Sequence, residues 1–98
     1  MGRKLQPVHP GEVLLEEFLK PLGISQQRLA REISVSPSRV YKTVRGKASL
    51  TAELALRLGR YFRMSAEFWL NLQSHYDLER AKDKLERRLR AEVAVHAA

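Results

Sequence analysis

Apolar side chains recur at intervals of three or four residues along most of this chain, the spacing that places them on one face of an α-helix. Five segments show this pattern, and none shows the strict alternation of a strand. In the first four segments, the residues predicted to face inward are Val13, Leu15, Phe18, Leu19 and Leu22; Leu29, Ala30 and Ile33; Val40 and Val44; and Leu54, Leu58, Tyr61 and Phe62. The fifth opens with Phe68, Trp69, Leu72 and Tyr76. The pattern therefore predicts an all-α fold of five helices.

Capping residues mark where these helices begin. A side-chain acceptor just before the first helical residue can bind an amide that has no partner within the helix. The predicted N-caps are His9, Ser25, Ser36, Thr51 and Ser65. Pro37 suits the first helical position, because an amide there would lack an intrahelical partner. The first helix is expected to end before Pro21, since the residue preceding a proline is pushed out of the helical region, and Gly23 and Gly46 are predicted stops.

Residues 25–46 carry the most informative local pattern, two short amphipathic helices separated by a tight turn. With Val40 and Val44 facing inward, helical geometry turns a polar and basic set of side chains outward on the second helix. This set is Ser38, Arg39, Tyr41, Lys42 and Arg45. A helix of this kind fits the major groove of DNA, so the pattern predicts a DNA-reading helix-turn-helix.

Positive charge is concentrated on the same segment. The chain has a formal net charge of +7, and residues 24–47 hold six basic side chains and one acidic side chain, a local net charge of +5. A basic patch in one place is the electrostatic footprint of a polyphosphate partner. The alternative interpretation is a basic face that is merely solvated.

The composition excludes several other classes of protein. With 98 residues, 44% of them hydrophobic, the chain should form one domain around a single core. It has no cysteine for a disulfide or a thiolate site, and its three histidines lack the spacing of a hydrolytic zinc site. We therefore predict that the protein is not an enzyme and has no catalytic residue, metal or cofactor. Without a long apolar run or a signal-peptide core, it is expected to be soluble and cytoplasmic, with no membrane partner.

The fifth helix is predicted to continue far beyond its aromatic start. Residues 77–98 include six basic and five acidic side chains, and apolar residues still recur three or four apart. These apolar residues are Leu78, Ala81, Leu85, Leu89 and Val93. A core of this size cannot cover so long a stripe, so the helix needs a partner. A second copy is the economical choice, because a twofold dimer places two reading helices about 34 Å apart, one turn of the duplex.

The predicted dimer interface consists of Trp69, Leu72, Tyr76 and Leu78. The alternative is that the aromatic start of this helix simply closes the core of a single chain. The chain is accordingly divided into an N-terminal arm at 1–8, a helix-turn-helix domain at 9–76 and a C-terminal helical extension at 77–98.

Three stretches carry a family resemblance: HPGEVLLEEFLKPLGISQQRLAREI, RGKASLTAELALRLGRYF and SAEFWLNLQSHYDL. Together with the helix order, they make residues 8–78 resemble the lambda-repressor-like, or Xre, helix-turn-helix family, and more narrowly the HigA-type antitoxins of bacterial toxin-antitoxin modules. The resemblance implies a five-helix fold with the reading unit at helices 2 and 3. It also implies a homodimer that binds a palindromic operator in its own promoter and neutralises a HigB-type toxin that cleaves messenger RNA.

Site residues follow from the same resemblance. Gln26 would contact phosphate and help to position the second helix of the reading unit. The residues that would face base edges are Pro37, Ser38, Arg39 and Lys42, and those that would flank the phosphate backbone are Arg45 and Lys47. Arg39 is the best candidate for direct readout, since its planar fork matches guanine O6 and N7. Ser38 could equally be a first-turn helix residue, and Tyr41 could touch phosphate or pack on the helix stem.

The sequence departs from the family pattern at two places. Ser34 stands where the turn usually has glycine, which suggests backbone strain. Thr43 stands at an inward position that usually holds a larger aliphatic residue, which suggests weaker anchoring of the last turn of the reading helix.

The first helix carries an acidic group that is the candidate surface for a basic toxin. Glu12, Glu16 and Glu17 face a single Lys20, a local net charge of −2. The alternative is a solvated acidic face. Two other functions also remain open: a stand-alone Xre-type regulator without a toxin, and an interaction module that binds DNA through charge alone.

Overall fold

The computed structural model describes residues 7–97, which form five helices and no strand. Helix α1 is continuous over residues 10–22 and consists of an α-helical start at Pro10–Val13, a π-helical stretch at Leu14–Leu19 and an α-helical end at Lys20–Leu22. The others are α2 (Gln26–Ile33), α3 (Pro37–Val44), α4 (Ala52–Phe62) and α5 (Ala66–Glu92). The predicted all-α fold is confirmed. Most of the predicted arm at 1–8 lies outside the described residues, and the predicted boundary between 76 and 77 falls inside the uninterrupted α5.

The predicted caps are present at all five helices. A serine or threonine hydroxyl accepts a hydrogen bond from the amide three residues on at 3.0 to 3.2 Å in α2 to α5, from Ser25, Ser36, Thr51 and Ser65. In α1 the Nδ1 atom of His9 accepts from the Gly11 amide at 2.9 Å. Such a cap stabilises a helix by about 1 kcal/mol, so short sequence signals account for where each helix begins.

Helix α1 does not end before Pro21, and that prediction is wrong. The Lys20 amide donates to the carbonyl of Leu15, five residues back, and Gly23 ends the helix in the left-handed region at φ 66°. The wider π turn relieves the clash that a pyrrolidine ring makes with a preceding carbonyl, so the proline is tolerated in the last turn. The same turn rotates the residues that follow it. Leu22, predicted to face inward, is 58% exposed as a result.

The core lies where α1, α2, α3, α4 and the start of α5 meet. Its buried apolar residues are Leu14, Leu19, Leu29, Ala30, Ile33, Val40, Leu50, Leu54, Ala55, Leu58 and Trp69. Three of them, Leu14, Leu50 and Ala55, are absent from the predicted inward stripes. Gln73 closes the polar edge of this core, accepting from the Leu50 amide at 2.7 Å and donating to Asp77 at 2.9 Å.

Trp69 belongs to this core and not to a surface between subunits. Its side chain is 0% exposed, with ring centroids 5.0 Å from Phe18 and 5.0 Å from Phe68. The prediction that Trp69 lies in a dimer interface is therefore wrong, because the aromatic start of α5 closes the core of its own chain. Leu72 and Tyr76 are half-buried, whereas Leu78 is exposed.

The distal part of α5 extends beyond the other helices. The whole helix has 27 residues, which corresponds to a length of about 40 Å. Its apolar side chains past residue 77 are largely uncovered, with exposed fractions of 56% for Leu78, 45% for Leu89 and 61% for Val93. The single chain therefore leaves the stripe that the sequence identified without a covering surface.

Candidate nucleic-acid interface

The turn between α2 and α3 is held in a conformation that most side chains avoid. Ser34 has φ 59° and ψ 47°, in the left-handed region. Two amides close the turn, since Ser34 donates to the Arg31 carbonyl at 3.3 Å and Val35 donates to the Ala30 carbonyl at 2.9 Å. The predicted strain at Ser34 is present, at a cost of about 1 kcal/mol relative to a right-handed residue.

Helix α3 is anchored through Val40 and Thr43, which are both buried. The Thr43 hydroxyl donates to the Arg39 carbonyl at 2.9 Å, so its polar atom is satisfied inside the helix. Val44 is only half-buried. Ser38, Tyr41, Lys42 and Arg45 are exposed, as the helical spacing predicted, and Pro37 is exposed as well. Arg39, the fifth residue predicted to face outward, is half-buried. Thr43 is buried with its hydroxyl satisfied, and the weaker anchoring expected from its small side chain stays a prediction.

The backbone at position 43 lies against Gly11, a contact that the sequence did not reveal. A Cβ atom at Gly11 would lie 1.9 Å from the Thr43 carbonyl oxygen and 2.8 Å from the Val44 Cα. The start of α1 thus rests directly on the backbone at the end of α3. The glycine in the HPGE stretch was the available signal, but nothing nearby in sequence indicates which helix it meets.

Arg39 does not extend freely from α3. Its Nη2 atom donates to the Thr51 hydroxyl at 2.6 Å, and its Nη1 atom lies 3.9 Å from the Glu53 carboxylate. Its side chain is half-buried and lies against the first turn of α4. The sequence placed Arg39 on the reading face but gave no sign of these two neighbours.

Glu53 is itself held in place by Arg57. Arg57 donates to one Glu53 oxygen from Nε at 3.1 Å and from Nη2 at 3.0 Å. The remaining Arg57 nitrogen donates to the Ile33 carbonyl at 2.8 Å, at the end of α2. The (i, i+4) spacing of Glu53 and Arg57 was readable as an ion pair, whereas its attachment to α2 depends on the tertiary fold.

The remaining predicted DNA contacts lie at the two ends of the reading unit. Gln26 is the first residue of α2 and half-buried, and its buried Oε1 atom has no hydrogen-bond partner among residues 7–97. Lys47 is exposed just beyond α3, where its amide donates to the Lys42 carbonyl at 2.8 Å. Gly46 precedes it with φ 74°, the predicted left-handed stop. The fold therefore places Lys47 beside the end of the reading helix.

Two titratable groups brace the reading unit against the rest of the fold. Burial lowers the pKa of His9, opposed by its hydrogen bond to the Ala48 carbonyl and by the charge of Asp77. The hydrogen bond that Tyr61 donates to Glu32, assisted by Arg28, lowers the pKa of the Glu32 carboxyl. His9 thus ties α1 to the segment after α3, and the Tyr61–Glu32 pair ties α4 to α2.

The predicted toxin-contact residues are all exposed on α1. Glu16 pairs with Lys20 at 2.8 Å, which partly neutralises the acidic group, while Glu12 and Glu17 remain acidic surface positions. In the part of the chain that the structure describes, no group of three or more His, Asp or Glu side chains is placed to hold a metal ion. Over the same residues, no helix is long and apolar enough to span a bilayer.

A family model described as "Helix-turn-helix" matches residues 15–69, the segment from α1 to the start of α5. With the basic face of α3 and the capped turn before it, this match defines the class: the chain belongs to the helix-turn-helix family of Xre-type DNA-binding proteins. Virulence-associated protein I of Dichelobacter nodosus is 50% identical to it, over 83% of this chain and 76% of that protein.

Within the family the chain is similar to HigA-type antitoxins. Antitoxin HigA-1 of Vibrio cholerae is 40% identical over 76% of this chain and 70% of its own length. A solved structure described as "Pseudomonas aeruginosa antitoxin HigA with higBA promoter" superimposes with a TM-score of 0.90 at 43% identity, covering 93% of this chain and 99% of the other. The resemblance identified in the sequence is confirmed.

Proposed function

We propose that this protein is a DNA-binding antitoxin that represses its own operon and neutralises a HigB-type toxin that cleaves messenger RNA. The observation that carries the proposal is the exposed polar and basic face of α3, on a fold that superimposes on a HigA solved with its promoter. A helix inserted in the major groove with flanking cations can read bases and bind phosphates together. The proposed role is binding and not catalysis, and it places the protein in the cytoplasm.

The DNA contacts divide into two groups. Pro37, Ser38, Arg39 and Lys42 stand toward the base edges, whereas Gln26, Tyr41, Arg45 and Lys47 stand toward the sugar-phosphate backbone. This division is supported by their placement, since α3 begins at Pro37 and its end is flanked by Lys47. Phosphate contacts fix register and base contacts supply sequence preference.

A homodimer completes the proposed reader. The uncovered stripe of α5 supports it, because a second α5 would bury Leu78, Leu89 and Val93 that one chain leaves exposed. Residues 77–98 then serve as the dimerisation extension of the domain at 9–76. The twofold axis would make the operator palindromic, with half-sites about one helical turn apart.

The toxin surface is proposed at the acidic residues of α1. Glu12 and Glu17 lie exposed on the same helix as Glu16, and a basic ribonuclease is the complementary partner. Reversal of Glu16 and Glu17 to lysine should weaken the toxin complex while leaving operator affinity unchanged. Toxin binding that is unaffected by this reversal would remove α1 from the contact surface.

Competition between promoter DNA and random duplex tests the function. At physiological salt, a promoter fragment from upstream of the chain's own gene should bind at least about a thousandfold more tightly than random DNA of equal length. A ratio near one would leave only charge-driven association. Co-expression with the neighbouring reading frame, followed by pull-down and a growth assay, should yield a complex and relieve toxicity. Operator binding without such a complex would instead indicate a stand-alone regulator.

A further inference from the structure

The guanidinium of Arg39 is supported by residues outside the helix that carries it. Thr51 accepts from its Nη2 atom at 2.6 Å, and Glu53 lies 3.9 Å from its Nη1 atom. Thr51 is the N-cap of α4 and Glu53 lies in its first turn, and both are outside the turn and helices of the reading unit. An unsupported arginine samples many rotamers, and ordering it on DNA reduces affinity. The two neighbours restrict that freedom before DNA arrives.

Glu53 is a fixed support because its own position is determined by two further contacts. One carboxylate oxygen is occupied by Arg57, at 3.0 and 3.1 Å. Arg57 is in turn held by the Ile33 carbonyl at 2.8 Å. The other Glu53 oxygen is the one directed at Arg39. A continuous set of contacts thus runs from the backbone of α2 through α4 to the guanidinium on α3.

A carboxylate at this place has opposite effects on general and on specific binding. It repels phosphates of any sequence, which weakens binding to all DNA. Orientation of a planar guanidinium helps only where a base offers two acceptors in its plane, as guanine does. An acidic residue here therefore lowers the affinity for DNA of every sequence. Part of that affinity is recovered only at the base pair that Arg39 reads.

We propose that Glu53 and Thr51 are positioning residues that set the sequence preference of the protein by holding Arg39 in the orientation that reads guanine. The inference rests on the proposed function, since it requires operator binding. It adds the N-cap and one first-turn residue of α4 to the determinants of specificity, although neither needs to touch a base.

The test is Glu53→Gln, measured against Arg39→Ala on the operator and on all its single-base-pair variants. The base pair at which Arg39→Ala loses preference is assigned to Arg39. Glu53→Gln should lower discrimination at that same base pair by about tenfold. Its affinity for random DNA should rise by about twofold to threefold, because one negative charge near the duplex is removed. Glu67→Gln is the matched control, since it removes an exposed acid from the first turn of α5 and should keep wild-type discrimination.

A double variant separates positioning from charge. In the Arg39→Ala background, Glu53→Gln should no longer change discrimination at any base pair. The inference is overturned if Glu53→Gln retains wild-type discrimination, or if it weakens all sequences by one common factor. A wild-type protein that shows no operator preference at all would instead contradict the proposed function.

Folding is checked by thermal melting, and Glu53 is 59% exposed, so Glu53→Gln should fold. Thr51→Gly supplies a second measurement. Glycine is tolerated at the N-cap of α4 but offers Arg39 no side-chain acceptor, so it should lower discrimination at the same base pair. Unchanged discrimination in this folded variant would exclude Thr51 from the positioning pair.

Discussion

Ser34 and Arg39 differ in how far the local sequence predicts their conformation. The left-handed backbone at Ser34 was expected because the turn needs such a residue, and the caps were expected because a serine before a helix has one common use. Both depend on near neighbours in sequence. The side-chain direction of Arg39 depends on Thr51 and Glu53 at the start of another helix, so no local pattern could indicate it.

Replacement of Ser34 by glycine should stabilise the protein. At φ 59° the substitution removes the Cβ clash, and part of that gain is offset by the greater freedom of glycine in the unfolded chain. The free energy of unfolding should rise by about 0.5 kcal/mol in urea titrations. Ser74→Gly in the middle of α5 is the control, and it should lower stability by about as much. A loss of stability in both variants would show that the turn is unstrained.

Substitution of Arg39 and substitution of Lys47 should affect DNA binding in different ways. Arg39→Ala should cost about 1 to 3 kcal/mol on the preferred site and relax preference at one base pair. Lys47→Ala should weaken binding to operator and scrambled DNA nearly equally and reduce the salt slope by about one unit for each bound subunit. Binding titrations at several salt concentrations give both quantities. An equal loss on the two DNAs for Arg39→Ala would make Arg39 a phosphate contact.

His9 should make stability depend on pH just below neutrality. Because burial lowers its pKa from the ordinary value of 6.5, the unfolded chain takes up a proton before the folded protein does. The contribution of His9 to the free energy of unfolding is fully present above pH 6.5. It is lost as the pH falls below that value toward the lower pKa of the folded state. Urea unfolding at pH 7.5 and 5.5 measures the loss. His9→Asn retains a cap without a proton to bind, so it should show a smaller difference between the two pH values.

At the scale of the helices, α2 to α5 were located closely because each combines a cap with an apolar stripe. Helix α1 was not, since the rule that ends a helix before proline assumes regular α geometry. The π-helical stretch Leu14–Leu19 carries the chain past Pro21 and turns Leu22 outward. Trp69 was misplaced for another reason, because a stripe on α5 does not reveal where the core ends and an open face begins.

The contact between α1 and α3 should be the least tolerant of added volume. Gly11→Ala places a methyl group 1.9 Å from the Thr43 carbonyl oxygen, so the helices must separate. We expect a loss of about 3 kcal/mol in the free energy of unfolding, with weaker operator binding. The control is Gly23→Ala, where no atom lies within 4 Å and only the left-handed backbone resists, at about 1 kcal/mol. Equal losses in the free energy of unfolding for the two variants would show that the α1–α3 contact tolerates an added methyl group.

At the scale of the whole molecule, the sequence indicated that α5 is too long for its own core. The structure confirms that the distal stripe is exposed. The stripe is shorter than predicted, because Trp69 is buried in the core of its own chain. What covers Leu78, Leu89 and Val93 depends on a second molecule, and no pattern within one chain specifies its geometry. The proposed dimer is therefore tested by substitution of these exposed residues.

Leu78→Asp combined with Leu89→Asp should dissociate the dimer without unfolding the chain, since both side chains are exposed in one chain. Sedimentation velocity should show at least about a tenfold weaker dimer, because each chain would have to bury two charges on association. Binding should fall on the full palindrome and persist on a half-site. Leu56→Asp is the matched control, with 65% exposure on α4. A dimer unchanged by the double variant would move the interface away from distal α5.

The close approach of Gly11 to Thr43 has a mechanical consequence. Because no side chain separates the two backbones, α1 and α3 are in direct contact. His9 stabilises the same junction through its hydrogen bonds with Gly11 and Ala48. We therefore expect the start of α1 and the end of α3 to move together. A partner that displaces α1 should also shift the helix that is proposed to enter the major groove.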